Sequence, residues 1–257
     1  MPSYRNIKYE LDGHIAVITI DHPPANTWNL ETLNAFEDAI GLVENDADVR
    51  VLILTGAGEK CFSAGFDVSD AANSPIISPK ARALWRRIDR FSKPVIAAIN
   101  GHALGGGLEL AISCHFRIMA DSPKAMVGLT ELNLGIIPGW GGTQRLSRIV
   151  GRSRALEMIL LSKKMTAEEA LTIGLVNQLS RPDALMADAR ALAKILAERP
   201  PIAVRWVLDA ISAGLYEGLD AGLDVEADGS AAVRASEDRK EGFAAFLEKR
   251  QPVFTGR

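Results

Sequence analysis

Two short runs of apolar residues place the strongest constraint on the fold of this chain. They lie at residues 51–55 (VLILT) and 95–99 (VIAAI), and neither alternates between apolar and polar positions. A strand of this kind is buried on both faces, as in a parallel sheet that helices cover on both sides. The first run stops at the turn-forming Gly56-Ala57-Gly58. The two runs therefore predict two buried strands.

The segments around these runs alternate between strand-like and helical patterns. Residues 14–20 are mostly β-branched and apolar, and they end at the turn-forming Asp21-His22-Pro23-Pro24. Asn29 is placed to cap a helix over residues 30–43, whose apolar residues recur at helical spacing. The order strand, helix, strand, helix, strand predicts an α/β fold with largely parallel strands.

The pattern changes after about residue 150, where helical spacing dominates and strand-like runs almost disappear. Pro200-Pro201 separates two helical segments, and a last helix is predicted over residues 236–250. We therefore expect an α/β domain over residues 1–195 and a helical region over residues 196–257.

The composition is that of a globular protein, with 47% hydrophobic and 24% charged residues. The net charge of −3 lacks the basic excess that is typical of nucleic-acid-binding proteins, so we expect no nucleic-acid partner. No apolar run is long enough to cross a membrane, and residues 1–5 lead into no apolar signal segment. With only Cys61 and Cys114 and no CxxC pair, the sequence predicts a cytoplasmic protein without a membrane partner.

Motifs for common cofactors do not occur in the sequence. Cys61 stands where the dinucleotide-binding pattern GxGxxG, begun by Gly56 and Gly58, needs its third glycine. The four histidines lack the ligand spacing of metal sites. The sequence therefore predicts neither a metal site nor a dinucleotide cofactor.

Three consecutive glycines, Gly105–Gly107, follow the second buried strand and open an apolar helix. Glycine disfavours helix formation through its conformational entropy, so a run of three needs a reason. One reason is that bare peptide N–H groups at a helix start bind an anion or a developing oxyanion. The other is close packing of the backbone under a neighbouring helix. The sequence alone supports both explanations.

A second glycine turn, Ala64-Gly65-Phe66, follows the first buried strand. It is expected to present another peptide N–H group beside the first. Two such donors from separate segments can hold one oxygen atom that becomes negatively charged during a reaction.

Two glutamates, Glu109 and Glu131, lie in otherwise apolar segments. A carboxylate in such a place costs free energy unless it is paired or used in a reaction. Either glutamate alone could be a surface residue or a partner of a helix end. Two of them beside an oxyanion site could act as acid and base, because burial and like charge raise their pKa values.

Together these segments resemble the enoyl-CoA hydratase/isomerase family, also called the crotonase family. The resemblance runs from the strand and turn at residues 15–26 through residues 62–67 (FSAGFD), 100–109 (NGHALGGGLE) and 134–146 (LGIIPGWGGTQRL) to residues 245–250 (AFLEKR). It implies a spiral of ββα units over residues 1–195, which form the catalytic domain. It further implies that residues 196–257 mediate the formation of homotrimers, which often stack as dimers of trimers.

The resemblance also implies a reaction on coenzyme A thioesters through a thioester enolate. The donors to the enolate oxygen would be the peptide N–H groups of Phe66 and Gly106. Hydratases of the family carry both glutamates, so the pair Glu109 and Glu131 favours enoyl-CoA hydration. Glu109 would hold and deprotonate water and Glu131 would protonate Cα, although the two roles could be shared. No metal or redox cofactor is implied.

The coenzyme A part of the substrate is expected along Ala64, Asp67, Val68 and Ser69. Asp67 and Val68 would contribute backbone groups. Family members often carry a lysine in place of Ser69, so this chain lacks that charge for the phosphates.

Three further residues are candidates by resemblance. Phe246 and Lys249 match positions that contact coenzyme A from the same or a neighbouring subunit, although a core phenylalanine and a solvated lysine would fit the sequence equally. Trp140 occupies a position that is often small and lies close to the acyl pocket. The acyl preference of this chain could therefore differ from that of its relatives.

Two other functions are compatible with parts of the sequence. Within the same fold, the chain could be a Δ3,Δ2-enoyl-CoA isomerase or a hydratase for a cyclic dienoyl-CoA. In a different class, it could bind RNA or act as a scaffold, since some relatives of the family bind RNA. The net charge of −3 and the presence of both glutamates weigh against this last function.

Overall fold

The computed structural model describes residues 4–257, so residues 1–3, part of the segment in which no signal peptide was predicted, lie outside the described residues. The strands are β1 (Ile7–Asp12), β2 (Ile15–Ile20), β3 (Val51–Gly56), β4 (Cys61–Ser63), β5 (Val95–Ile99), β6 (His102–Leu104), β7 (Phe116–Ala120), β8 (Val127–Gly128) and β9 (Gln178–Ser180). The helices are α1 (Leu30–Asn45), α2 (Ser74–Asp89), α3 (Gly106–Ala111), α4 (Gly142–Val150), α5 (Arg152–Leu160), α6 (Ala167–Thr172), α7 (Leu185–Ala197), α8 (Pro201–Tyr216), α9 (Leu219–Arg234) and α10 (Glu237–Glu248). Short 3-10 helices cover Val68–Asn73 and Glu131–Leu134.

A six-stranded sheet forms the base of the fold, in the order β1-β2-β3-β5-β7-β9. β1 pairs antiparallel with β2, and the other neighbouring strands pair in parallel. In this register Leu54 of β3 lies opposite Ile18 of β2 on one side and Ala97 of β5 on the other. The predicted α/β class with largely parallel strands is confirmed.

A second, smaller sheet contains β4, β6 and β8 as parallel neighbours. The segments β3-β4-α2, β5-β6-α3 and β7-β8-α4 repeat one pattern along the chain. In each unit the first strand joins the six-stranded sheet, the second joins the small sheet, and a helix follows after a variable connection. The chain therefore winds as a spiral of ββα units, as the family resemblance implies.

Helices cover both faces of the six-stranded sheet, as the uninterrupted apolar runs require. On one face, Ala189 and Ala193 of α7 belong to the same buried cluster as Ile53 of β3. On the other face, α1 and α2 contribute to a larger core that includes Leu54 and Trp85. Because Ile53 and Leu54 are adjacent in β3 and lie in different cores, the strand is buried on both sides.

The C-terminal region is helical, with α8 and α9 packed against each other and α10 following. Several of its apolar side chains are exposed in the single chain, including Val207 at 56%, Ile211 at 58% and Phe246 at 81%. The boundary that we predicted between residues 195 and 196 stays a prediction. Within residues 4–257, the helices lack the combination of length and apolarity that crossing a bilayer requires.

Candidate active site

The candidate site lies beyond the carboxyl ends of the three strands of the small sheet. Phe66 follows β4, Gly106 and Glu109 follow β6, and Glu131 follows β8. Since these strands are parallel neighbours, the segments after them emerge on the same edge of the sheet. Ligand sites in parallel α/β sheets favour this edge. The fold therefore brings together the four residues that were predicted for catalysis.

The two glycine turns of the site touch each other. A Cβ atom built on Gly65 would lie 2.7 Å from the Gly106 nitrogen, which leaves no room for any residue but glycine. Gly65 has φ +87° and Gly105 has φ +53°, values that side chains disfavour. Among residues 4–257, the peptide N–H groups of Phe66 and Gly106 have no backbone or side-chain acceptor. Both groups are thus available for a ligand oxygen.

Close packing also contributes to the glycine run. A Cβ atom on Gly106 would lie 2.2 Å from Cζ3 of Trp140, and one on Gly107 would lie 2.0 Å from the carbonyl oxygen of Ser63. The run therefore packs tightly against its neighbours, while the Gly106 peptide N–H group has no acceptor among residues 4–257. Binding of an oxyanion by this group stays a prediction.

Glu109 lies on α3, is 2% exposed and is anchored by the backbone. Its Oε1 atom accepts hydrogen bonds from the peptide nitrogens of Trp140 at 2.8 Å and of Gly142 at 2.7 Å. Gly142 is the first residue of α4, so the carboxylate also faces the positive end of a helix. Burial raises the pKa of Glu109, whereas these two amides and then the Arg145 charge act to lower it.

Glu131 begins the short 3-10 helix Glu131–Leu134 and is 9% exposed. Both carboxyl oxygens are buried, and neither has a hydrogen-bond partner among the residues that the structure describes. Burial, and next the negative charge of Glu109, raise the pKa of Glu131 to about 7. The Glu131 carboxyl group can therefore gain or lose a proton near neutral pH.

Trp140 is the predicted acyl-pocket residue and is 5% exposed. Its ring packs on Gly106. The centroid of the Trp140 ring lies 6.4 Å from that of Phe66 and 5.5 Å from that of Trp85, and both contacts are edge to face. Trp140 thus contacts both residues whose peptide N–H groups are the predicted oxyanion donors.

The residues predicted to bind coenzyme A fall into two separate places. Ala64 and Asp67 adjoin the Phe66 turn, and the Ala64 amide donates to the carbonyl of Ala25 at 3.0 Å. The Asp67 carboxylate caps the 3-10 helix by accepting from the Ser69 amide at 3.0 Å, and Val68 is 65% exposed.

Phe246 and Lys249 lie instead at the far end of α10. Phe246 lines an apolar groove with Ile202, Phe243 and Phe254, on a surface that Ala64–Ser69 do not line. Lys249 is the C-cap residue of α10 and is exposed. The structure of a single chain therefore leaves these two residues apart from the rest of the predicted coenzyme A site.

Sequence reasoning did not identify what holds Glu109. The amides that donate to Glu109 come from the turn before α4, where Gly141 has φ +115°. Arg145 holds this turn in place. The Arg145 Nη1 atom donates to the Trp140 carbonyl at 3.0 Å, and its Nε atom forms an ion pair with Asp89 at 3.2 Å. The glycine pair at residues 141–142 was the available signal, since it resembles the helix start at Gly105–Gly107.

The structure offers no obvious place for a metal ion within residues 4–257. In that part of the chain, no three His, Cys, Asp or Glu side chains form a group that could hold one. The expectation that the reaction needs no metal or redox cofactor stays a prediction.

The sequence is similar to known proteins over nearly its full length. The sequence profile described as enoyl-CoA hydratase/isomerase matches residues 10–257. A short-chain-enoyl-CoA hydratase of Clostridium acetobutylicum is 42% identical over 252 residues, which cover 96% of each chain. A crotonyl-CoA hydratase of Syntrophomonas wolfei is 40% identical over 98% of each chain.

Solved structures agree with the fold. The crystal structure of an enoyl-CoA hydratase from Bacillus anthracis superposes with a TM-score of 0.95 at 40% sequence identity. The match covers 98% of this chain and 100% of that one. The sequence motifs, the spiral fold and these matches over nearly the full length agree, and the chain belongs to the enoyl-CoA hydratase/isomerase family.

Proposed function

We propose that the protein is an enoyl-CoA hydratase, which adds water across the Cα–Cβ double bond of a 2-enoyl-CoA thioester. The observation that carries this proposal is the pair of buried carboxyl groups, Glu109 and Glu131, beside two peptide N–H groups that have no acceptor within residues 4–257. The product is a 3-hydroxyacyl-CoA thioester. Relatives that are 42% and 40% identical bear the names short-chain-enoyl-CoA hydratase and crotonyl-CoA hydratase.

The peptide N–H groups of Phe66 and Gly106 bind the thioester oxygen in this proposal. When water attacks Cβ, electrons move through the double bond to this oxygen and form an enolate. Donors that already face the oxygen stabilise the enolate more than the substrate, and each contributes roughly 10²- to 10³-fold in rate. The contact of Gly65 with Gly106 keeps the two turns close enough for this purpose.

The two glutamates divide the proton transfers according to their hydrogen bonds. Glu109 accepts two amide hydrogen bonds, which favour its ionised form, so it acts as the base that takes a proton from water. Glu131 has buried oxygens without partners among the described residues, so it holds a proton more readily and delivers it to Cα. Water thus loses one proton to Glu109 while Cα gains one from Glu131, and proton exchange between the pair or with solvent restores the enzyme.

The rest of coenzyme A extends along Ala64–Ser69 in this proposal. Backbone groups of Asp67 and Val68 bind it, with Ala64 and Ser69 beside them. Asp67 contributes through its carbonyl oxygen, because its amide donates to the Trp28 carbonyl at 3.1 Å. Phe246 and Lys249 contribute from the same or a neighbouring subunit. A neighbour is favoured because Phe246 lines a groove of this chain that Ala64–Ser69 do not line.

Short acyl groups are the proposed substrates. The buried Trp140 ring lies against Gly106 and Phe66, so it occupies space next to the place where the thioester carbonyl binds. A small side chain at residue 140 would leave that space for a longer chain. Four-carbon crotonyl-CoA is therefore the substrate class that the site fits best.

We also infer that the active protein is a homotrimer or a dimer of trimers. The support is the exposed apolar surface of the C-terminal helices, which a neighbouring subunit would bury. A cytoplasmic location is part of the same proposal, and the buried, unpaired thiols of Cys61 and Cys114 fit a reducing compartment.

Turnover of crotonyl-CoA tests the proposed function. We expect water addition, followed as the loss of enoyl-thioester absorbance, with Glu109→Gln and Glu131→Gln each lowering kcat roughly 10²- to 10⁴-fold. The exposed Glu226→Gln serves as a matched control and should keep the wild-type rate. Full hydration activity in Glu109→Gln would contradict the assignment. Conversion of a 3-enoyl-CoA without hydration of crotonyl-CoA would instead identify an isomerase.

A further inference from the structure

A buried tryptophan outside the reaction site is hydrogen-bonded to the proposed oxyanion turn. The Trp85 indole Nε1 atom, on α2, donates to the carbonyl oxygen of Gly106 at 3.0 Å. We propose that Trp85 is a positioning residue, which aims the Gly106 peptide N–H group at the thioester oxygen. This inference rests on the proposed function, because it assigns a role to the same oxyanion site.

The orientation of the peptide planes in the glycine turn depends on contacts with neighbouring residues. Glycine populates a wider range of φ and ψ than any other residue, so three in succession do little by themselves to fix these planes. The Gly105 amide is held by the carbonyl of Gly128 at 2.9 Å, and the Gly105 carbonyl is held by the Glu109 amide at 3.0 Å. The Trp85 hydrogen bond adds a fixed point on the other side of Gly106.

Trp85 itself is rigid enough to serve as that fixed point. It is fully buried, and its ring lies edge to face between Trp28, at a centroid distance of 4.9 Å, and Trp140, at 5.5 Å. The direction of its N–H bond is therefore set by packing on both sides. Donors that are oriented before the reaction stabilise an oxyanion without a cost of reorganisation.

Trp28 provides a matched control in the same cluster. It is also fully buried, and it also packs edge to face on Trp85. Its indole nitrogen, however, has no hydrogen-bond partner among residues 4–257. Replacing either tryptophan by phenylalanine removes a similar volume from the core, but only the change at Trp85 removes a hydrogen bond to the Gly106 carbonyl.

Steady-state kinetics of the two variants separate positioning from packing. We expect Trp85→Phe to lower kcat for crotonyl-CoA about tenfold, a part of what a whole oxyanion donor contributes. KM should change less than about threefold, because the interaction strengthens mainly in the transition state. Trp28→Phe keeps an aromatic ring against Trp85 and keeps the Trp85 hydrogen bond, so it should stay within about twofold of the wild type. Equal losses in both variants would assign the effect to core packing and overturn the proposal.

A spectroscopic measurement tests the same point without turnover. Butyryl-CoA labelled with ¹³C at the thioester carbonyl binds without reacting, and its C=O stretching band reports how strongly the site polarises the carbonyl. We expect the band of the Trp85→Phe complex to lie closer to that of free butyryl-CoA than the wild-type and Trp28→Phe bands do. An unchanged band in Trp85→Phe would overturn the proposal.

A shape-preserving change covers the case in which Trp85→Phe does not fold. The benzothiophene analogue of tryptophan, incorporated at Trp85, keeps the size of the ring but lacks the N–H group. It should give the same loss of kcat and the same band position as Trp85→Phe. Wild-type kinetics and band position for this analogue would overturn the proposal.

Failure of the proposed function would look different from failure of this inference. If the wild-type protein neither hydrates crotonyl-CoA nor shifts the carbonyl band of butyryl-CoA, the hydratase assignment is wrong. If the wild-type protein does both and Trp85→Phe matches it, only the positioning role is wrong.

Discussion

The two candidate catalytic carboxyl groups differ in what surrounds their oxygen atoms. Glu109 has two backbone donors on Oε1, while Glu131 has buried oxygens without a donor in the described chain. A buried carboxylate without hydrogen bonds is costly when it is ionised. An ionised Glu131 therefore lowers the free energy of unfolding near neutral pH.

The stability of a Glu131→Gln variant measures this cost. In the folded protein the pKa of Glu131 is raised from 4.5 to about 7, so the folded state binds the proton more tightly than the unfolded state. Wild-type stability therefore falls as the pH rises between these two values. Relative to the wild type, Glu131→Gln should gain on the order of 2–3 kcal/mol in free energy of unfolding between pH 4 and pH 8.

Urea denaturation at both pH values checks this prediction. The exposed Glu59→Gln serves as the control and should follow the wild-type curve. A constant difference between Glu131→Gln and the wild type across the pH range would mean that the carboxyl group titrates normally. For Glu131→Gln we expect a loss of activity together with a gain in stability at pH 8.

Trp140 determines acyl-chain length in the proposed function. Its removal in Trp140→Ala should raise kcat/KM for an eight-carbon enoyl-CoA relative to crotonyl-CoA by at least about tenfold, since added methylene groups can then enter the vacated space. Trp140→Phe should give an intermediate ratio. A panel of 2-enoyl-CoA thioesters of increasing length provides the measurement, and an unchanged ratio would exclude Trp140 from the acyl pocket.

At the scale of single residues, the sequence indicates which side chains are functional candidates better than it indicates which contacts hold them. Glu109 and Glu131 stand out as charges in apolar segments, and the fold places them after neighbouring strands. The amides of Trp140 and Gly142 do not stand out, because any residue can supply a peptide N–H group. The role that Trp85 plays through its indole could not be predicted either, since it depends on the packing of α2 against α3.

At the scale of helices and strands, the long apolar runs are far easier to predict than the short strands. β2, β3 and β5 lie where the sequence predicts strands, and Asn29 caps α1 by accepting from the Thr32 amide. In contrast, β4, β6 and β8 contain only three, three and two residues. A strand of that length has no measurable hydrophobic period. The small sheet that carries the site was therefore accessible only through the family resemblance.

Gly107 and Gly41 both lie in helices, but only at Gly107 does close packing require a glycine. An added Cβ on Gly107 of α3 would lie 2.0 Å from the Ser63 carbonyl oxygen, so Gly107→Ala should lower the free energy of unfolding by about 3 kcal/mol or more. An added Cβ on Gly41 of α1 would meet only the Arg87 side chain at 3.7 Å. Gly41→Ala should therefore raise stability by about 0.5–1 kcal/mol through helix propensity.

Chemical denaturation of both variants gives the comparison. Equal effects of the two substitutions would mean that helix propensity, and not the contact between α3 and β4, decides the outcome. Gly41→Ala should also keep the wild-type rate with crotonyl-CoA, since α1 contributes no candidate catalytic residue.

At the scale of the whole molecule, an apolar face of α8 is exposed in the single chain. Val207, Ile211 and Leu215 recur every four residues on α8 and are 56%, 58% and 56% exposed. Residues at this spacing share one face of a helix. Helical periodicity predicted α8 from the sequence, but it could not show whether this face packs inside the chain or against another subunit.

The mass of the protein in solution tests the proposed assembly. Light scattering coupled to size-exclusion chromatography should give three or six times the 27.7 kDa of the chain. Ile211→Glu combined with Leu215→Glu should shift the population toward smaller species, because charges on a buried interface are costly. Leu42→Glu on α1, where Leu42 is also exposed, is the control and should leave the mass unchanged. A monomeric wild-type protein would contradict the proposal.

The candidate oxyanion donors, unlike the candidate acid and base, belong to the main chain. Every amino acid except proline supplies a peptide N–H group, so a point mutation to any residue other than proline can shift these donors but cannot delete them. Substitutions at Glu109 and Glu131, in contrast, can abolish or redirect proton transfer in a single step. A laboratory that evolves new reactions from this protein could therefore retain enolate stabilisation as a constant and vary the two carboxylates freely.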